Sequence, residues 1–411
     1  DTYRTMITDP AILKSLIQQG GFLPKEEMLE VKKQKGSLMI GIPKETSFQE
    51  RRVALVPEAV SLLVANGHHV IIESNAGENS NFTDNEYSEA GAQIVQDRHS
   101  IYQCDIIFKV APPSEEEVDL MPGNQTFISA LQLVSQPKEV LQKLMKKKIT
   151  AIAWDYIKDE DGVFSVVRTM GEIAGTTSIL VAGELLSSYT SGKGLMLGGI
   201  AGVQPTEVVI IGAGTVGEFA ARAALGLGAS VKVFDNSLSK LRRLQNDVGA
   251  RIFTSVLQPK VLAKAVRRAD VVIGALRSQV GRTPCVVSRD VIEQMKSGSV
   301  IVDVSIDQGG CFETSRVTNH NDPTFIEHGV IHYCVPNIAS RVSRTASFAL
   351  SNIFSPLLLE IGERGGVVDL IRMQSGFRNG VYIYKGVLTN ELLGKVFGLN
   401  HKDINLILPG I

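Results

Sequence analysis

The sequence predicts an α/β protein made of two parallel-sheet domains. Three observations carry that expectation. At 411 residues the chain is too long for a single ordinary core. Short apolar runs recur along it, separated by segments of helix length, which is the alternation of βαβ units. One such run leads into a glycine-rich turn, GAGTVG, that opens an Ala-rich helix.

Composition narrows the partners. Apolar residues make up 44% and charged residues 21%, an ordinary globular balance. A net charge of −1 gives no electrostatic reason for nucleic-acid or anionic-membrane binding. No apolar run approaches the ~18 residues of a membrane span, and the charged start is unlike a signal peptide. Cys104, Cys285, Cys311 and Cys334 show no CxxC spacing. They read as reduced packing residues of a cytoplasmic protein, with no metal site expected.

In chain order, residues 1–38 read as a polar, helical extension with a Lys-rich end. From Met39 the runs MIGI, HVIIES, DIIFKV, QTFISA and TAIAW predict strands, and PEAVSLLVANG a helix closed by Gly67. Residues 169–195 predict one long, charge-poor helix, which passes into the Gly-rich SGKGLMLGGIAGV. The run EVVII then begins a second unit, continued by SVKVFD, ADVVIGA, SVIVDVS and GVIHYCV. From about residue 345 a helical tail crosses back to the first unit. The expected domains are therefore 39–168 plus 345–411, and 169–344.

The turn Gly212-Ala-Gly214-Thr-Val-Gly217 predicts a dinucleotide site. Gly212 permits the tight turn, Gly214 lets a pyrophosphate approach the backbone, and Gly217 allows close helix–strand packing. The phosphates would sit on the helix N-terminus. Asp235 ends the next strand, 18 residues after Gly217. A carboxylate there accepts from ribose hydroxyls and repels a 2′-phosphate, which favours NAD over NADP. The stretch SVIVDVSIDQGGC, residues 299–311, predicts a buried strand ending on Asp307. Ligands of such sheets bind beyond the carboxyl ends of the strands. Asp307 thus either caps a turn or faces the nicotinamide.

Taken together, IGIPKETSFQERRVALVPEAV, FKVAPP, MGEIAG, GLMLGGIAGV, VVIIGAGTVG, IVDVSIDQGGCFE and YCVPN resemble alanine dehydrogenase and the related domain I of pyridine nucleotide transhydrogenase, alanine dehydrogenase the more closely. The resemblance runs from about Met39 to about Leu399. It implies two Rossmann-like domains, the substrate domain discontinuous in sequence, with a cleft between them. It also implies reversible NAD-dependent deamination of L-alanine, or a related small 2-amino acid, to the 2-oxo acid and ammonium. By similarity Arg52 binds the substrate carboxylate, Lys109 holds the carboxylate or carbonyl, and Asp307 is the catalytic aspartate. Lys240 stands where a basic residue follows the ribose acid, and Asn337 lies in a loop that contacts nicotinamide. Family members are hexamers or dimers, so a homo-oligomer is implied.

The chain also departs from the family. Gln132 stands where alanine dehydrogenases carry a catalytic histidine. Histidine exchanges protons near neutral pH, whereas glutamine only hydrogen-bonds. No histidine occurs between residues 100 and 319, and His68, His69 and His332 read as structural. Arg277 and Ser278 replace an apolar, proline-containing run, Gly171 replaces a serine, and ASRVSRT replaces a proline-bearing loop. Three functions stay open. One is a dehydrogenase in which Gln132 orients the carbonyl or carbinolamine. Another is an altered NAD(H)-binding protein akin to transhydrogenase domain I. The third is an opine- or saccharopine-type dehydrogenase.

Overall fold

The computed structural model describes residues 36–131, 137–278 and 281–408. The expected N-terminal extension lies almost wholly outside them. The described chain divides into two compact units. The first takes the residues up to Lys44, Val53–Lys158 and the chain from Leu350 onward, and the second takes Glu45–Arg52 and Asp159–Ala349.

In the first unit β1 (Met39–Ile42), β2 (His69–Glu73), β3 (Gln93–Val95), β4 (Ile106–Phe108), β5 (Thr126–Ser129) and β6 (Thr150–Ala153) are mutually parallel, in the order 3-2-1-4-5-6. Every residue of β4, β5 and β6 is buried, as in a sheet covered on both faces. A tail hairpin, Val381–Tyr384 and Val387–Leu388, extends the sheet antiparallel beyond β6. Sequence periodicity did not reveal this hairpin.

The second unit repeats the order with β7 (Glu207–Ile211), β8 (Ser230–Phe234), β9 (Phe253–Ser255), β10 (Val271–Gly274), β11 (Val300–Asp303) and β13 (Val330–Tyr333). The sheet is closed by β12 (Thr324–Glu327), an unexpected antiparallel edge. Period-2 alternation builds its core. Val208 and Ile210 of β7 enter one apolar cluster, and Val209 and Ile211 enter the cluster on the opposite face.

The fold class is thus α/β with two mostly parallel sheets, as the sequence predicts. Two element boundaries differ. The long helix runs from Ser165 to Ser187 rather than over 169–195, because the polar run after Ser187 has poor helix propensity. The strand expected to end on Asp307 ends on Asp303. Val304–Gln308 forms a 3₁₀ turn closed by Gly309 and Gly310, both at positive φ.

Candidate active site

In each unit the strand order reverses once, between β1 and β4 in the first and between β7 and β10 in the second. Ligand crevices of open α/β sheets form at such points. The GAGTVG turn leaves β7 at the second of them. Gly212 has φ +116°, and a Cβ there would lie 2.4 Å from the Ala275 carbonyl oxygen. A Cβ on Gly217 would come within 1.9 Å of the Gly212 carbonyl oxygen, so only glycine lets the helix start this close to the strand. Gly214 is different: it is the N-cap of helix Thr215–Gly226, and a Cβ on it would meet only open space. The turn therefore offers free N–H groups and room for an anion, which fits a dinucleotide's pyrophosphate.

Asp235 follows β8 and is 7% exposed. Its Oδ2 accepts from the Ala213 N–H and its Oδ1 from the Ser237 N–H, both at 2.8 Å. The acid is thus held against the glycine turn, with lone pairs left for hydroxyl donors. Lys240 is exposed on helix Leu238–Val248, its own N–H capped by Ser237 Oγ. Arg243 on that helix, which sequence reasoning missed, donates to the Ala213 carbonyl at 3.1 Å.

Asp307 lies in the turn after β11. Its Oδ1 accepts from the backbone N–H of Asn337 at 2.8 Å. Asn337 is left-handed (φ 54°, ψ 53°), and its side chain donates to Glu50 Oε2 at 3.1 Å. Glu50 in turn grips Arg52 through Nε at 2.8 Å and Nη2 at 2.7 Å. Both members of this fork-to-fork pair are buried, 6% exposed each. The Arg52 Nη1 points to the Met170 sulfur at 3.4 Å. The early segment is pinned beside these groups: Arg51 N–H donates to Ser340 Oγ, which donates to the Gln49 carbonyl. Sequence-predicted Arg52, Asp307 and Asn337 thus meet within the second unit, joined through Glu50.

The electrostatics follow from this packing. Burial pushes Glu50 up, but attraction and hydrogen bonds from Arg52 outweigh it, and the net pKa lies below the carboxylate norm. Burial lowers Arg52, while Glu50, with Glu45 and Asp307, more than restores its charge. Asp307 keeps solvent-accessible surface, yet enough protein crowds it for desolvation to raise its pKa. The Asn337 N–H, Arg52 and Arg277 only partly oppose that rise.

Asp303, not the Asp307 that the sequence predicts, is the buried acid at the strand end. It has no exposed surface and accepts from the Cys311 N–H at 3.1 Å and Ser315 Oγ at 2.6 Å. Burial raises its pKa to about 6. It anchors the turn that carries Asp307. The DVSID spacing held both acids, but a period-2 pattern cannot say where a strand stops.

Lys109 directly follows β4, at the switch point of the first unit, and is fully buried. Its Nζ lies 3.0 Å from Glu117 Oε2 and 3.3 Å from the Pro112 carbonyl oxygen. Arg98 also reaches Glu117, at 3.5 Å. Gln132 lies outside the described residues. His68 accepts from the Leu38 N–H. His332 donates through Nδ1 to Val330 and accepts from Thr314. All four cysteines are free, and Cys285 is exposed rather than packed. Among the described residues no helix is long and apolar enough to cross a membrane.

The comparisons with known proteins agree with this geometry. The family model described as "Alanine dehydrogenase/PNT, N-terminal domain" matches residues 41–174, and its C-terminal counterpart matches 178–391. Alanine dehydrogenase 2 of Staphylococcus aureus (strain USA300) is 38% identical over 368 residues, covering 89% of this chain and 98% of that protein. A solved L-alanine dehydrogenase superposes with a TM-score of 0.82 at 36% identity, covering 88% of this chain and 99% of the other. A transhydrogenase structure from Sinorhizobium meliloti has a TM-score of 0.73 at 23% identity, covering 86% and 99%, which speaks for the fold alone.

Proposed function

The chain belongs to the alanine dehydrogenase/PNT family, and from that premise we propose that it is an NAD-dependent L-alanine dehydrogenase. It converts L-alanine, or a related small 2-amino acid, water and NAD to the 2-oxo acid, ammonium, NADH and a proton, reversibly. The observation that carries this assignment is the chain Arg52–Glu50–Asn337–Asp307, which ties a guanidinium to a carboxyl of raised pKa at the carboxyl end of a dinucleotide-type sheet. Bound NAD supplies the hydride acceptor.

Arg52 binds the substrate carboxylate. Its Nε and Nη2 grip Glu50, which fixes the plane of the guanidinium, and such a planar fork of N–H donors suits a carboxylate. Lys109, buried and ion-paired with Glu117, holds the carbonyl oxygen and favours the build-up of negative charge on it. Asp307 takes the proton from the substrate nitrogen or from the attacking water, a task suited to a carboxyl lifted above its ordinary range. Gln132 hydrogen-bonds the carbinolamine hydroxyl without removing its proton. Gly212, Gly214, Gly217, Asp235 and Lys240 hold the NAD, and Asn337 meets its nicotinamide end while bridging Glu50 and Asp307. The assigned setting is the cytoplasm, as a homo-oligomer of hexameric or dimeric type.

Purified protein is assayed with NAD and a panel of amino acids at alkaline pH, and in reverse with 2-oxo acids and ammonium. Ammonium-dependent NADH oxidation is the expected result, and a reverse reaction that instead requires an amino acid would move the assignment to opine-type chemistry. Gln132 favours one second function, an NADH-binding protein without turnover. That function would show tight NADH binding and no product, and Gln132→His would then leave it silent.

A further inference from the structure

Beside Asp307 the second unit carries a cation that the proposed reaction does not use. Arg277 lies three residues beyond β10 and Asp307 four beyond β11. These strands pair in parallel, with Gly274 opposite Asp303, so both residues leave the same end of the sheet as neighbours. Gln308 clasps the two segments. Its Oε1 accepts from the Ser278 N–H at 2.9 Å, and its Nε2 donates to the Ser278 carbonyl at 3.2 Å. The residue after Arg277 is thereby held at two points by the residue after Asp307.

On its other side the same segment abuts the glycine turn. The Cβ position of Gly212 is 2.4 Å from the Ala275 oxygen and 3.0 Å from the Leu276 nitrogen. Arg277 therefore stands at the β7/β10 switch point, next to both the phosphate turn and Asp307. Its side chain is exposed. Among the described residues its guanidinium has no hydrogen-bond or ion-pair partner. Asp307 feels its charge, which opposes the burial-driven rise of that carboxyl.

We propose that Arg277 is an anion-binding residue of the active site, taking a phosphate or carboxylate oxygen of a bound reactant. This deepens the dehydrogenase assignment and rests on it. Two sources supply such an oxygen. One is the dinucleotide's diphosphate, lying on the adjoining glycine turn. The other is a second carboxylate on the amino acid, a side-chain length from the carbon where Asp307 works. A guanidinium suits either, through paired N–H donors.

The test compares full-length Arg277→Leu and Arg277→Lys with the parent chain by two readouts. NADH binding is titrated by fluorescence without turnover, and KM is compared for alanine, aspartate and glutamate at saturating NAD. If the diphosphate is the partner, Arg277→Leu weakens NADH binding about tenfold with amino-acid preference unchanged, and Arg277→Lys recovers part of the loss. Binding also becomes less sensitive to salt in the leucine variant. If the partner is a substrate carboxylate, NADH binding holds, while preference shifts about tenfold from acidic toward neutral amino acids. Changes below about twofold in both readouts overturn the proposal, given the size of a charge-assisted hydrogen bond. Should the parent chain turn over no amino acid yet bind NADH, the dehydrogenase assignment fails while the binding arm still decides the fate of Arg277.

Discussion

Replacing Asp303 with asparagine isolates the cost of holding a charge behind the turn that carries Asp307. The Asp303 carboxyl has no exposed surface, and burial lifts its pKa from 3.8 to about 6. Between those values the folded chain binds the proton and the unfolded chain does not. Stability from this group is therefore greatest below the window and declines as pH rises through it. At 1.36 kcal/mol per pKa unit, the native state gives up about 3 kcal/mol by neutral pH. Asparagine keeps the shape and one acceptor for the Cys311 N–H and the Ser315 hydroxyl, but it carries no charge at any pH. Whatever constant offset the substitution introduces, the variant must gain about 3 kcal/mol on the wild type across the full window, and about half of that between about pH 5 and pH 8. Because the lone tryptophan, Trp154, belongs to the first unit, hydrogen exchange of β11 amides under mild urea is the better probe. It is read by mass spectrometry as variant minus wild type. A difference that stays flat with pH would show that Asp303 is not ionised at a cost, and the reasoning would be wrong.

Three further outcomes follow from the same geometry. Glu50→Gln leaves the buried Arg52 charge without its anion, and should cost about 3–5 kcal/mol of stability, measured by urea denaturation. It should also raise KM for the amino acid while NADH affinity stays the same, and an unchanged KM would dissociate Glu50 from substrate binding. Asp307→Asn should lower kcat by about 10² or more with NADH binding retained. In the wild type the acid limb of kcat/KM should fall above the ordinary carboxylate range, because the active form is deprotonated and its pKa is raised. Gly217→Ala places a methyl 1.9 Å from the Gly212 oxygen. It should abolish NADH binding in a titration, and normal affinity would mean that the turn is not the nucleotide seat.

Much of this was legible in the sequence because it is local. GAGTVG, the strand before it and Asp235 form one contiguous βαβ pattern, and the backbone demands of Gly212 and Gly217 are written in their identities. Parallel central strands showed as unbroken apolar runs. The antiparallel edge β12 and the tail hairpin did not, because half-buried edge residues such as Thr324 and Val387 look like loop. Asp307 was visible as an acid before two glycines, but its place in a turn rather than a strand was not. Glu50 stayed hidden for a different reason. FQERR is a charged run with nothing local to mark it as buried, and its partner Asn337 lies 287 residues away. Glu117 was equally silent, although it is the group that makes a buried Lys109 tolerable.

The span between those partners matters for how the molecule is made. Gln49 is held by Ser340, 291 residues downstream, and Arg51 by the same hydroxyl. A nascent chain leaving the ribosome therefore exposes Glu45–Arg52 while about 290 further residues must still be made before its seat exists. Closing so long a loop is entropically slow rather than prohibitive. The Arg52–Glu50 pair should then settle only once the segment around residue 337 has been made, and a chain released short of it could fold much of its sheet structure while Arg52 never reaches its final setting.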